Sequence, residues 1–219
     1  MKIYLATNNK GKIREINALF GGTHFEFVSP GELLKETDVL EDGDSYRENA
    51  YKKAYPLHVA TSAPVVSEDS GMEVEALDGA PGVHSARFAN LFTGKNSTDT
   101  ENIQKLLSLL KEAPQDAGSD KDAGSGKRDA KRAATRAARY VSVFCFITGG
   151  QVHYFEGEVW GDITETPMGS GGFGYDPVFI PRGYSDTFAQ LGPTVKNRIS
   201  HRAMASQKLK DFLLTTWPR

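Results

Sequence analysis

One cysteine, Cys145, occurs in 219 residues. A lone cysteine forms no internal disulfide, and it excludes a Cys-rich zinc site. No apolar run approaches the roughly 20 residues that a membrane-crossing helix needs. The N-terminal stretch MKIYLATNNK turns polar at Thr7, too early for a secretory signal. The expectation is a soluble, cytoplasmic protein with no membrane partner. An excess of one charge is missing as well: 26 basic against 28 acidic residues leave a net −2. There is no global positive field to gather nucleic acid, so none is expected as a partner. The chain has no internal repeat and no G-x-x-x-x-G-K-[ST] phosphate loop. Its 39% hydrophobic and 25% charged residues are an ordinary globular balance, which excludes global disorder.

The pattern of what is present predicts alternating strands and helices. KIYLA (2–6) is a short apolar run of strand formers, followed by polar TNNKGK and a helix with Ile13, Ile16, Leu19 and Phe20 on one face. FEFV (25–28) reads as a second strand. Residues 44–60 carry Tyr46, Ala50, Ala54 and Leu57 at helical spacing, although Pro56 should bend or end that helix. APVVSED (63–69) reads as a buried strand running into acidic residues. DTENIQKLLSLLKE (99–112) is an amphipathic helix with Asp99 as its N-cap. YVSVFCFIT and QVHYFEGEVWGDI form a hairpin across Gly149-Gly150. The tail, 200–214, is helical with Ala203, Leu209, Phe212 and Leu213 inward. Strands alternating with helices, plus one antiparallel hairpin, imply an α/β fold with a mixed sheet.

Residues 113–139 stand apart. They contain no Leu, Ile, Val or aromatic residue, and seven basic against four acidic residues give them +3. Such a segment buries no apolar area, so it reads as a surface insertion in a single domain spanning 1–219.

Four clusters carry chemistry. Thr7-Asn8-Asn9-Lys10-Gly11-Lys12 lies where a strand ends and a helix begins, a place where backbone N–H groups and Lys12 favour an anion. An ordinary polar connection with an Asn turn accounts for the same residues. Glu36, Asp38, Glu41, Asp42, Asp44 and Glu48 form an acidic stretch, and Glu68-Asp69-Ser70-Gly71 ends a buried strand. Carboxylates in that place suit Mg²⁺, which one or two carboxylates hold together with substrate phosphates. Gly169 to Pro177, GSGGFGYDP, formally contains G-x-G-x-x-G, yet no strand leads into it and no helix follows, so it is not a dinucleotide fingerprint. It displays Phe173 and Tyr175, as stacking faces or as core aromatics. Lys196 with Ser200-His201-Arg202 opens the last helix, with Ser200 as N-cap. His201 lacks a His partner at metal-ligand spacing, but the set is rich in hydrogen-bond donors. Together the clusters are the inventory for a nucleoside triphosphate.

In these motifs the chain resembles the inosine/xanthosine triphosphate pyrophosphatase family. The matching stretches are ATNNKGKIRE (6–15), ENAYKKA (48–54), SEDSGMEVEALDGAPGVHSARF (67–88), GGFGYDPVF (171–179) and SHRA (200–203), in the family's order and spacing. The resemblance implies two α/β lobes around a long mixed sheet, with a substrate cleft between them, and a homodimer. It assigns phosphate binding to Thr7, Asn9 and Lys12 within the 7–12 loop, with Lys53 as a further phosphate contact. Mg²⁺ falls to Glu41 and Asp69, with Asp69 as proton acceptor. Ser70, Phe173, Gly174, Tyr175, Asp176, Lys196, His201 and Arg202 become nucleotide-binding residues. An acidic Asp42 beside Glu41 leaves open which of the two faces the metal.

The implied activity is hydrolysis of the nonstandard purine triphosphates ITP, dITP and XTP to the monophosphate and pyrophosphate. In this reading Asp69, aided by Glu68, activates a water for attack on the α-phosphorus, and Lys12 and Lys53 stabilise the leaving pyrophosphate. A paired-carboxylate glycosidase is a poorer reading, because neighbours on a strand point to opposite faces.

Overall fold

The computed structural model describes residues 1–29, 31, 39, 41–93, 95–113 and 136–217. Glu36, Asp38 and most of the expected insertion lie outside the described residues. The elements run β1 (Lys2–Leu5), α1 (Lys10–Leu19), β2 (Glu26–Val28), α2 (Tyr46–Thr61), β3 (Val65–Val74), two 3₁₀ segments (Glu75–Leu77 and Gly82–Thr93), α3 (Asp99–Glu112), β4 (Ala137–Thr148), β5 (Gln151–Ile163), a 3₁₀ turn (Asp176–Val178), β6 (Phe179–Pro181), α4 (Phe188–Ile199) and α5 (His201–Thr216).

The strands form one sheet in the order β2-β1-β3-β4-β5-β6. β1 runs parallel to β2, with Ile3 opposite Phe27, and parallel to β3, with Tyr4 opposite Val65. β5 and β6 are antiparallel. The mixed α/β class read from the sequence is therefore observed. Gly149 and Gly150 join β4 to β5 at φ of 54° and 77°. A two-residue hairpin turn matching the strand twist needs positive φ at both positions, which glycine adopts without a Cβ clash.

The chain divides into two compact units. One comprises Met1–Ser70, Val141–Glu158 and Val195–Arg219; the other comprises Gly71–Tyr140 and Val159–Thr194. In the first unit the strands bury both faces, and their alternation sorts the core. Ile3, Leu5, Val66, Phe144 and Phe146 pack with Ile16 and Phe20 and with Ala205, Leu209 and Leu213 of α5. Their chain neighbours Val65, Cys145 and Ile147 face the other way, onto Ala50, Ala54 and Leu57 of α2. Those three α2 residues are the stripe expected from their spacing. Pro56 does not end the helix, which continues to Thr61. A buried face anchored on both sides of the proline offsets the single hydrogen bond it forfeits.

In the second unit Tyr140 meets Phe179 edge-on at 4.8 Å between ring centroids, and Phe179 meets Phe188 at 5.4 Å. Asn102 of α3 clamps the Gly82–Thr93 segment, accepting from the Ala89 N–H at 2.8 Å and donating to the Ala86 carbonyl at 3.2 Å. Two expectations need correction here. The helix α3 is capped by Thr98, not Asp99: the Thr98 hydroxyl accepts from the Glu101 N–H, and the Glu101 carboxylate accepts from the Thr98 N–H. The T-x-x-E spacing is a reciprocal capping box, which outcompetes a single Asp. The expected insertion also ends sooner than residue 139. β4 starts at Ala137, and Arg136 donates to the carbonyls of Ile163 and Thr164. Ala-Ala-Arg has little strand propensity, and pairing within the sheet overrides it. Among the described residues no helix is long and apolar enough to cross a membrane.

Candidate active site

The chemistry gathers on the last residues of β3 in the first unit, where the pleat separates neighbours. Val66, Glu68 and Ser70 face α1 and α5; Val65, Ser67 and Asp69 face α2. The contacts follow that division.

On the α1/α5 face, Glu68 is fully buried. Lys12 Nζ lies 2.7 Å from its Oε2, Arg202 Nη2 lies 3.1 Å from its Oε1, and the Ser142 hydroxyl donates to Oε1 at 2.7 Å. Arg202 also donates to Glu15 and, at 3.0 Å, to the Ser70 hydroxyl. Glu15 in turn pairs with Lys196 at 2.8 Å. The result is a chain of alternating charge, Lys12, Glu68, Arg202, Glu15, Lys196, with cations at both ends. Burial by itself would raise the Glu68 carboxyl, but Arg202 and then Lys12 hold it well below the usual carboxylate range. Burial lowers the His201 imidazole well below its ordinary value, and the charges of Arg202 and Lys196 lower it further.

On the α2 face, Lys53 Nζ donates to Asp69 Oδ1 at 2.7 Å and lies 3.4 Å from Glu41 Oε1. Asn49, one turn before Lys53, donates to Asp69 Oδ2 at 3.4 Å and accepts the Gly43 N–H at 2.8 Å. It thereby ties the stretch carrying Glu41 to the strand carrying Asp69. Burial pushes the Asp69 carboxyl above its ordinary value, against the pull of Lys53 and Lys12, and the Glu41 charge adds to the push. Asp42 is turned outward, paired with Lys52 at 2.9 Å.

Around the 7–12 loop the motif is a relay of local bonds. The Thr7 hydroxyl accepts the Asn9 N–H at 3.2 Å, and Asn9 Oδ1 accepts the N–H groups of Gly11 and Lys12 at 2.9 and 3.1 Å. Asn9 is thus the N-cap of α1. The capping takes up two of the helix amides expected to meet an anion, which leaves that task to side chains. Asn8 and Lys10 are exposed beside it.

In the second unit the Gly-rich loop is built by its own polar residues. Asp176 is buried, and its Oδ2 accepts the Phe173 N–H at 2.9 Å. Tyr175 is buried, and its hydroxyl donates to the Ser85 carbonyl at 2.9 Å. Gly172 sits at φ 76°, and a Cβ there would lie 2.0 Å from Asp176 Oδ2, so only glycine fits. Tyr175 and Asp176 are therefore fastened within the loop, and Phe173 is its half-buried aromatic.

A model of the Ham1 family matches residues 3–212. The chain belongs to the Ham1 family. It is 42% identical over 214 residues to the dITP/XTP pyrophosphatase of Desulforamulus reducens, covering 97% of this chain and 96% of that protein. It is 40% identical over 213 residues to the dITP/XTP pyrophosphatase of Porphyromonas gingivalis, covering 97% of each. The solved Staphylococcus aureus Ham1 protein superposes with a TM-score of 0.78 at 34% identity, covering 99% of this chain and 100% of that one. This Ham1 family chain thus carries, over its full fold, the motifs quoted from its sequence.

Among the described residues no group of three or more His, Cys, Asp and Glu side chains converges to hold a metal. Two carboxylates do converge on Lys53. A pair of hard oxygen donors fits a hexacoordinate Mg²⁺ that keeps waters and shares substrate phosphates. Three residues of these networks were not singled out in the sequence: Glu15, Asn49 and Ser142. Glu15 follows Lys12 by one helical turn and Asn49 precedes Lys53 by one, so the same-face rule of a helix was the available signal. Ser142 offered none.

Proposed function

We propose that this protein hydrolyses nonstandard purine nucleoside triphosphates, ITP, dITP and XTP, to the monophosphate and pyrophosphate. The observation that carries the reading is the division of labour at β3: Asp69 meets Lys53 beside Glu41 on one face, and Glu68 is sealed among Lys12, Arg202 and Ser142 on the other. A base must hold a proton within reach of neutrality, and burial moves Asp69 in that direction. Asp69 takes the proton of the water that attacks the α-phosphorus. Glu68 does not share that step. It faces the opposite side of the strand and is too weak a base, so its part is to hold Lys12 and Arg202 in place.

Glu41 and Asp69 would hold the Mg²⁺, which neutralises phosphate charge when bound. Lys53, between them, and Lys12, at the end of the α1 network, meet charge developing on the leaving pyrophosphate. Asn9 orders the loop that presents Lys12. Phe173 offers a purine its ring face. Lys196 and His201 supply donors for a 6-oxo purine, whose O6 accepts where adenine donates. Arg202 acts by bracing this set, since its guanidinium is engaged with Glu15, Glu68 and Ser70. The homodimer implied by the resemblance and the cytoplasmic setting expected from the sequence belong to the same proposal, and light scattering of the purified protein tests the first.

The deciding experiment is pyrophosphate release from ITP, XTP, GTP and ATP under one Mg²⁺ concentration. A buried donor left facing a donor costs about 1–3 kcal/mol, so two mismatches give ATP a kcat/KM roughly a hundredfold below ITP. Equal turnover of ATP and ITP refutes the oxo-purine reading, and release of orthophosphate in place of pyrophosphate refutes the bond assignment.

A further inference from the structure

Thr98 and Glu101 complete the N-cap of α3 between themselves. That leaves the first residue of the helix, Asp99, with no capping duty, and its carboxylate is used elsewhere. Asp99 Oδ2 accepts the N–H of Gly174 at 2.7 Å, a bond from the helix to the Gly-rich loop of the same unit. Gly174 follows Phe173 directly and sits at φ 63°.

The two amides on either side of the Phe173 Cα are therefore each held by a carboxylate. The Phe173 N–H goes to Asp176, which is buried, and the Gly174 N–H goes to Asp99, which is exposed. Fixing both flanking peptide planes fixes the direction of the Phe173 Cβ. The two carboxylates rest on rigid supports. Asp176 opens a 3₁₀ turn beside Tyr175, whose hydroxyl is fastened to Ser85. Ser85 is itself tied to Met72 and Gly82. Asp99 stands one turn before Asn102, which clamps the Gly82–Thr93 segment. Without Asp99 the loop would keep glycines at 169, 171, 172 and 174 and lose the tie on the C-terminal side of the ring. Glycine backbones sample many conformations, so the ring would be presented correctly for only part of the time.

We propose that Asp99 is a positioning residue for base binding: through the Gly174 amide it pre-orders Phe173 to stack on the purine. This rests on the nucleotide reading given above. A ligand that must wait for a partly populated state binds more weakly by that fraction. Stacking does not choose among purines, so losing Asp99 raises KM for every base alike and leaves kcat unchanged. Asparagine retains an acceptor Oδ1 and keeps most of the effect; alanine keeps none.

The test uses the intact protein and two probes, inosine monophosphate and inorganic pyrophosphate, titrated calorimetrically in the presence of Mg²⁺. Asp99→Ala is expected to weaken inosine monophosphate about tenfold, with pyrophosphate affinity and kcat unchanged, and Asp99→Asn to restore binding to within about threefold of wild type. In a Phe173→Ala background, Asp99→Ala should add no further loss, because it acts through that ring. Unchanged inosine monophosphate binding in Asp99→Ala overturns the proposal while leaving the function intact. So does an equal loss for both probes, or a full additional loss in the Phe173→Ala background. Failure of the wild type to bind either probe overturns the function reading, and the role of Asp99 with it.

Discussion

Replacing Glu68 with Gln removes the carboxylate that Lys12 and Arg202 share. Glu68 and Arg202 are both sealed from solvent, with side-chain exposures of 0% and 2%. Breaking a buried ion pair by neutralising one partner costs about 3–5 kcal/mol, because the other charge stays behind uncompensated. Here Arg202 keeps Glu15, and Gln still accepts from Ser142, which argues for the lower end, about 3 kcal/mol. For a chain of this length each kcal/mol moves Tm by about 2–4 °C, so the melting point should fall by roughly 6–12 °C. Asp69→Asn is different. Burial already disfavours the Asp69 charge, the amide oxygen still accepts from Lys53, and Lys53 keeps Glu41. Its stability should change by less than about 1 kcal/mol while turnover falls by 10²-fold or more, the usual worth of a general base (about 10²–10⁴-fold). Thermal unfolding followed by circular dichroism, paired with pyrophosphate release from ITP, separates the two. A Glu68→Gln protein that melts with wild type refutes the buried-network reasoning. An Asp69→Asn protein that retains turnover, or melts as low as Glu68→Gln, refutes the division between the faces.

Other consequences are testable by similar means. Glu41→Gln should lose most turnover and require more Mg²⁺, whereas Asp42→Asn, altering a side chain turned toward Lys52, should stay within about twofold of wild type; equal effects would show that the outward placement of Asp42 is immaterial. His201 is held neutral in the folded state, chiefly by burial, so the unfolded chain takes up a proton near pH 6.5 that the folded chain refuses. Stability then rises with pH through that region and falls as pH drops from about 6.5 toward 5, by up to about 1.4 kcal/mol per unit. The carboxylates depressed in the fold, Glu15 and Glu68, contribute above about pH 4.5 and lose that contribution only at lower pH, outside this window, whereas Asp69, raised in the fold, opposes the His201 slope as pH rises. Chemical denaturation across pH 5–7 should show the slope in wild type and its flattening in His201→Gln; an unchanged slope would place the titration elsewhere.

Local order was legible in the sequence wherever a short-range rule decides it. The α2 stripe, the Gly149-Gly150 hairpin, the Ser200 cap and the 7–12 motif follow from spacings of a few residues, because helix and strand periodicities need no distant partner. The opposition of Glu68 and Asp69 was implicit in the strand pleat, but not the partners that give each its character. Lys12 and Arg202 on one side, Lys53 and Asn49 on the other, arrive from helices far along the chain. The charges of Arg202 and Lys12 set Glu68 low, and burial sets Asp69 high against the pull of Lys53, so the contrast between the two carboxyls was a tertiary matter. That Glu41 reaches Lys53 while Asp42 pairs with Lys52 was set by packing, and no rule of sequence spacing determines it. The bond from Tyr175 to the Ser85 carbonyl, 90 residues away, likewise came only with folding. Asp99, read as a cap, was released by the stronger Thr98–Glu101 pair and bonded to Gly174. A charged side chain takes whichever partner the packed fold brings within about 3 Å, and only the closed chain decides which partner that is.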